Sequence, residues 1–265
     1  MVTEALSDSL PAVALELAVS PRLLLGLDFD GTLAPIVADP VDASLPGETH
    51  DLLDALVARP DTTVAIISGR ALEDLRSRVS PKLILSGNHG LEMLENGVYW
   101  RHPLAARCEE ALQAVCKKLA DEIRDIPGAC LENKKLTASV HYRNVAARDQ
   151  QQVKERVTRA LARGEDCLLP RHGDKVIEIH PAIAWNKGSA MLRILARMQE
   201  AADSDISVCY IGDDTTDEDA FRSLTGAVTI RVCRDCSTDA RFRVNDPIQV
   251  SEFLNRILST PPSRR

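Results

Sequence analysis

Two stretches of this chain place acidic residues where an apolar run stops. The first is Asp28-Phe29-Asp30-Gly31-Thr32-Leu33, which follows Leu23 to Leu27. Two carboxylates one residue apart, followed by a glycine that lets backbone approach a ligand, make a tight loop able to share a cation. A solvated turn uses the same residue types, but the whole six-residue run at the end of an apolar stretch favours chemistry. The second stretch is Tyr210-Ile211-Gly212-Asp213-Asp214-Thr215-Thr216-Asp217-Glu218-Asp219, with five acidic residues in seven positions. Such density repels itself unless a cation sits within it. Asp217, Glu218 and Asp219 could instead serve a helix N-terminus, where negative charge is favourable, so Asp213 and Asp214 are the better metal candidates.

Two further elements supply what an anion needs. In Ile66-Ile67-Ser68-Gly69-Arg70 an apolar run ends on a hydroxyl that can donate to a phosphoryl oxygen, next to the amides of a helix start. Taken alone, Ser-Gly-Arg is also an ordinary helix cap. Asn186-Lys187-Gly188 opens another helix. A lysine there faces the unfavourable end of the helix dipole unless it has an anion to serve. Two acidic clusters, a hydroxyl and a lysine are the parts that phosphoryl transfer to a carboxylate requires. Magnesium would neutralise the nucleophile against the incoming dianion, and a second acid would protonate the leaving oxygen.

The elements that must hold these groups alternate along the chain. Apolar runs at 22–29, 63–67 and 83–85, separated by helical patterns at 48–59 and 71–79, predict a parallel sheet covered by helices on both faces. Asn96-Gly97 predicts a hairpin. A long amphipathic helix over 103–126 follows, then strands at 129–133 and 136–142, a charged helix at 149–163, and strands around 167–169 and 175–180. This helix-strand-strand-helix-strand-strand block reads as an inserted second domain with its own antiparallel sheet. The parallel pattern resumes with a helix at 187–199, a strand at 207–211, a helix at 217–224, a strand at 227–232 and a last helix from about 250 to 258. The expected fold is therefore α/β, a doubly wound parallel-sheet core (residues 1–102 and 182–265) carrying an inserted α/β cap (103–181).

Composition narrows the partners. The 265 residues carry 32 Lys and Arg against 39 Asp and Glu, with no basic run to track a phosphate backbone, so nucleic acid is not expected. No apolar run reaches the roughly 18–20 residues of a membrane helix. The patch at 12–19 is interrupted by Glu16 and lacks the basic flank of a signal peptide, and it reads as a short docking helix after a mobile tail. Seven cysteines, most of them single within apolar stretches, fit reduced thiols and a cytoplasmic protein. Cys233 and Cys236 form a C-x-x-C that offers only half of a tetrahedral zinc site, so neither metal nor redox work is expected of it.

The order D-x-D-G-T, Ser, Lys, G-D-D closely resembles the haloacid dehalogenase superfamily of phosphatases over Leu23 to Val232. The resemblance implies a Rossmann-like core with a mobile cap of the larger α/β type. It also implies Asp28 as nucleophile, Asp30 as general acid and then base, Ser68 and Lys187 as phosphoryl-holding residues, and magnesium bound among Asp28, Asp30, Asp213 and Asp214. Further stretches are similar to the trehalose-6-phosphate phosphatase family within it: Gly87-Asn88-His89-Gly90-Leu91-Glu92, Leu131-Glu132-Asn133-Lys134, Val140-His141-Tyr142-Arg143 and Val176-Ile177-Glu178-Ile179. That likeness implies a small sugar phosphate as substrate, with Arg70, His89, Glu132, Lys134 and Glu178 as binding residues. Related phosphatases of sucrose phosphate or glycosyl-phosphoglycerate share the core chemistry, and a catalytically silent sugar-phosphate sensor would have no need of both Asp28 and Asp30. Association with a trehalose-phosphate synthase is left open by the sequence. Lys135 departs from the family pattern, standing where a small residue is usual.

Overall fold

The computed structural model describes residues 4–5, 9–37, 40–162, 166–201 and 205–261, which fall into two compact units, Met1–Trp100 with Trp185–Arg265 and Arg101–Ala184. The first unit holds a nine-stranded sheet. Its strands are β1 (Glu4–Ala5), β2 (Leu23–Leu27), β3 (Thr62–Ile67), β4 (Ile84–Gly87), β5 (Glu92–Glu95), β6 (Val98–Arg101), β11 (Ser207–Gly212), β12 (Val228–Val232) and β13 (Phe242–Val244). In the second unit β7 (Cys130–Asn133), β8 (Ala138–His141), β9 (Leu168–Gly173) and β10 (Val176–Pro181) form a separate sheet.

Strand order in the first sheet is β1-β13-β12-β11-β2-β3-β4-β5-β6, with parallel pairing from β1 through to β4 and β5 antiparallel to β4. Strands run outward from β2 on one side and from β11 on the other, so the order reverses between these two. Their carboxyl ends form the crevice where open α/β sheets bind ligands. Alternating side chains divide the core between the two faces. Leu23, Leu25 and Leu27 share one apolar cluster with Leu52, Leu53 and Leu56 of α2 (Gly47–Val57) and Val250, Phe253, Leu254 and Ile257 of α9 (Pro247–Ser259). Leu24 and Tyr210 point the other way, to Met191, Ile194 and Met198 of α7 (Lys187–Ala201) and Phe221 of α8 (Glu218–Ser223). The remaining helices of this unit are α1 (Leu10–Ala18), which packs on α9, and α3 (Leu72–Arg78).

The second sheet has the order β7-β8-β10-β9, antiparallel throughout. Leu131, Val140 and Ile177 lie side by side in its register and turn toward α5 (Glu109–Glu122) and α6 (Gln150–Ala162), where Leu112, Val115, Leu119, Val153 and Val157 complete a second core. The neighbouring row, Glu132, Ser139 and Glu178, faces away from that core.

Three expectations change. The helix anticipated over 103–126 breaks at Cys108 into α4 (Pro103–Arg107) and α5, because the Cys108 amide bonds back three residues to Ala105 and tightens the turn while the side chain stays buried. Strand β13 escaped notice, since three residues with Arg243 at the centre show no apolar run. Most decisively, Cys233 and Cys236 are joined in a disulfide, so the reading of reduced thiols fails at this pair. A spacing of three residues just past β12 brings the two Cα atoms to 6.2 Å, within bridging reach. Cys108, Cys116, Cys130, Cys167 and Cys209 remain thiols. The docking helix expected at 12–19 corresponds to α1, whereas most of the tail before it lies outside the described residues. Among the described residues no helix is long and apolar enough to cross a membrane.

Candidate active site

Asp28 is the first residue beyond β2, and its amide donates to the Ile211 carbonyl of β11 at 2.9 Å, which fixes it in the crevice. Only 4% of it is exposed. Lys187, the first residue of α7 and 3% exposed, donates from Nζ to Asp28 Oδ1 and to Asp217 Oδ1, each at 2.8 Å. Asp217 also accepts from the Tyr210 hydroxyl at 2.7 Å and, through Oδ2, from the Asp214 amide at 2.9 Å. Asp213 lies beside Asp28 in hydrogen-bond contact. Ligand oxygens of Asp28, Asp213 and Asp217 all lie within 4.8 Å of one another.

Burial dominates the electrostatics. It drives the Asp28 carboxyl well above the usual carboxylate range; Lys187 pulls it back, while Asp217 and Asp213 push it up. Asp213 is pushed up to about 7, first by burial and then by the charge of Asp217. Burial works against the Lys187 ammonium, but Asp217 and Asp28 outweigh it and hold the amine protonated above its usual range. Tyr210 is likewise held neutral by burial and by the two neighbouring carboxylates.

Asp30 is placed differently. Its side chain is 42% exposed and clamped by Arg70, with Nε to Oδ2 and Nη2 to Oδ1 both at 2.7 Å. Arg70 is itself backed by Asp74 at 2.7 Å and lies over the Phe29 ring. Ser68, buried at the end of β3, accepts the Arg70 amide on its hydroxyl at 3.2 Å. His89 and its neighbour Asn88 both adopt left-handed backbone, φ 56° and 49°, a costly conformation for such residues. It is held because Asn88 N bonds Arg70 O and His89 N bonds Ser68 O, at 2.7 and 2.9 Å. The imidazole sits over Gly69, where any Cβ would meet it at 2.6 Å.

In the second unit, Glu132, Lys134 and Glu178 converge. Lys134 Nζ lies 3.7 Å from Glu132 Oε2 and 3.9 Å from Glu178 Oε1, and only 8% of Lys134 is exposed. Two histidines join them: His141 Nε2 is 3.1 Å from Glu132 and His180 Nε2 is 3.1 Å from Glu178. The β7–β8 turn that presents Lys134 places Lys135 at φ 72°, in the left-handed region that favours glycine.

A profile of the family described as trehalose-phosphatase matches residues 26–250. A probable trehalose-phosphate phosphatase of Oryza sativa is 36% identical over 92% of this chain and 70% of its own length. The chain belongs to the trehalose-phosphatase family. A trehalose-phosphate phosphatase of Mycobacterium ulcerans is 35% identical, aligning with 90% of this chain and 62% of its own length. Among solved structures, the C-terminal domain of a Candida albicans trehalose-6-phosphate phosphatase superposes with a TM-score of 0.77 at 26% identity, covering 98% of this chain and 99% of that one.

As a trehalose-phosphatase family member the chain is expected to carry magnesium, and the donors fit it. Three carboxyl groups share one ammonium, so Asp28 and Asp213 ionise fully only where a further cation joins them, and the donors are all oxygen. Gly31, at φ 76°, provides the room: a Cβ there would lie 2.1 Å from Asp213 Oδ2. Sequence reasoning had set Asp217 aside as a helix residue, yet it is wholly buried and organises Lys187, Tyr210 and the Asp214 amide. Asp214 turns outward, with Oδ1 accepting the Thr215 amide at 2.6 Å. The pairing of His141 with Glu132 and of His180 with Glu178 was not read from the sequence, since a histidine in a strand carries no signal of its partner.

Proposed function

We propose that this chain hydrolyses trehalose 6-phosphate to trehalose and phosphate through a phosphorylated Asp28. The observation that carries the reading is the buried Lys187 ammonium bridging Asp28 and Asp217 at the carboxyl ends of β2 and β11, which orients one carboxylate oxygen and supplies a fixed positive charge for a phosphoryl group. Asp28 attacks phosphorus and the bond to the sugar oxygen breaks as Asp30 delivers a proton to it. Asp30, then a carboxylate, takes a proton from the water that cleaves the aspartyl phosphate. To carry that proton Asp30 must release one of its two bonds to Arg70. Ser68 and Lys187 hold the transferring oxygens, while Arg70 and His89 line the approach. Magnesium, held by Asp28 and Asp213 with Asp30 and Asp214 on the same two loops, would neutralise nucleophile against phosphate dianion.

Glu132, Lys134 and Glu178 bind the sugar hydroxyls: charged groups held by one another and by two histidines offer fixed acceptors and a donor to a neutral polyol. The inserted unit is thereby the specificity domain, and the reaction belongs in the cytoplasm, in keeping with five cysteines left as thiols. Phosphate release measured across trehalose 6-phosphate, sucrose 6-phosphate and glucose 6-phosphate tests the reading. Preference for sucrose 6-phosphate would move the chain to the related sugar phosphatases, and no turnover of any ester would leave a sensor.

A further inference from the structure

The chain on both sides of the Cys233–Cys236 disulfide is bound to the acidic loop and the start of α8. Before it, Arg231 pairs in the sheet with Gly212, the residue preceding Asp213, and its guanidinium bonds the Asp214 carbonyl and, at 3.3 Å, Glu218 Oε1. After it, the Thr238 hydroxyl donates to Glu218 Oε1 and the Asp239 amide to Glu218 Oε2, each at 2.8 Å. Asp239 also accepts from Arg222 of α8 at 2.7 Å. Both oxygens of Glu218, which follows Asp217 directly, are therefore gripped by residues that flank the small ring closed by the disulfide. The ring is anchored in turn, with Cys233 N bonded to Val244 O at 2.8 Å and Arg243 bonded to the Cys236 carbonyl at 3.3 Å.

The two cysteines are half-buried, and Arg234 and Asp235 between them are exposed, so an attacking thiolate has access. Arg234 within the ring and Arg243 against its end outnumber the single acid Asp235, a setting that favours thiolate chemistry.

We propose that Cys233–Cys236 is a thiol–disulfide modification site, read by small dithiols, whose state sets how firmly the Asp213–Asp217 loop is held. In the reaction one thiolate of the dithiol attacks a cysteine sulfur and the S–S bond breaks to give a mixed disulfide. The second thiol then closes the reductant's own disulfide, leaving Cys233 and Cys236 as thiols, a transfer of two electrons and two protons. Because the ring is small, opening it frees few residues, and the consequence stays local to residues 231–239 and the Glu218 grip.

The experiment compares native protein before and after dithiothreitol. Alkylation mapped by mass spectrometry should gain Cys233 and Cys236, and amide exchange should quicken across residues 213–219. Turnover of the phosphate ester, as kcat/KM, should fall by roughly two- to thirty-fold, the range found for couplings through a packed network. A Cys233→Ser/Cys236→Ser protein should match the reduced form and ignore the reductant. Equal exchange across 213–219 in both states overturns the proposal, as does an equal dithiothreitol response in the double variant or a native bridge that resists the reagent. Alkylation and exchange decide the matter even if no ester is turned over, so the proposal and the phosphatase reading can fail separately.

Discussion

Replacing Asp213 with Asn should stabilise the metal-free protein, and the gain should depend on pH in a defined direction. Asp213 is raised from an ordinary 3.8 to about 7 by burial and by Asp217. Between those values the folded chain binds more protons than the unfolded chain, so stability falls as pH rises from about 4 to about 7 and stays low above it. At 1.36 kcal/mol for each unit, the full rise amounts to about 4 kcal/mol, and partial exposure reduces this to about 2–4 kcal/mol. The substituted amide keeps a donor toward Asp28 and adds no charge, so Asp213→Asn should melt with wild type at pH 4 and roughly 5–15 °C above it at pH 8, both in EDTA. Both tryptophans, Trp100 and Trp185, lie in the first unit, so intrinsic fluorescence follows the relevant transition. Magnesium at pH 8 should raise the wild type toward the variant and leave the variant little changed. If the two proteins lose stability equally from pH 4 to pH 8, burial of Asp213 beside Asp217 does not set the pH dependence of this site.

Other expectations follow from the same geometry. Asp28→Asn should abolish turnover in a chain that still folds, because the amide keeps the shape and loses the nucleophile; residual activity near wild type would exclude the aspartyl phosphate. Exhaustive chelation should silence phosphate release, with magnesium restoring it better than zinc, as all-oxygen donors dictate. Asp217→Asn sets an NH2 group against a donor in either flip, since Lys187 and Tyr210 occupy one oxygen and the Asp214 amide the other, and should cost about 3 kcal/mol by urea denaturation. Lys134→Ala or Glu132→Ala should lower activity on the sugar phosphate by roughly one to three orders of magnitude and spare para-nitrophenyl phosphate, which never uses those contacts. Equal losses on both substrates would reassign the two residues to folding or chemistry.

Much of the core was legible because its signals are local. Leu23 to Leu27 is apolar on both faces, as a central parallel strand must be, and an acidic loop at its end marks a crevice. Asn96-Gly97 marked a hairpin that the left-handed φ of both residues realises. What escaped depends on partners far away in sequence. Asp217 looked like a favourable first-turn charge until Lys187 and Tyr210 were seen to meet it. That Arg70 bonds both Asp30 and Asp74 was likewise beyond local reading. The Cys233–Cys236 bridge was discounted because a lone C-x-x-C was weighed as half a zinc site rather than as a pair able to close on itself.

The insertion of one unit within the other also dictates an order of assembly. Residues 101–184 are contiguous and own a separate apolar cluster, so they can complete their fold as soon as they leave the ribosome. The surrounding unit cannot. Strand β2 is synthesised early, yet its neighbour β11 and the helix bearing Lys187 arrive only after the whole insertion, and the Asp28–Lys187 contact spans 159 residues. Until then β2 exposes one unpaired edge along a fully apolar strand, the kind of surface that associates with other nascent chains. The candidate site thus forms only once both ends of the first unit have been made, and a chain truncated between residue 184 and β11 would leave a folded second unit tethered to an open, aggregation-prone sheet.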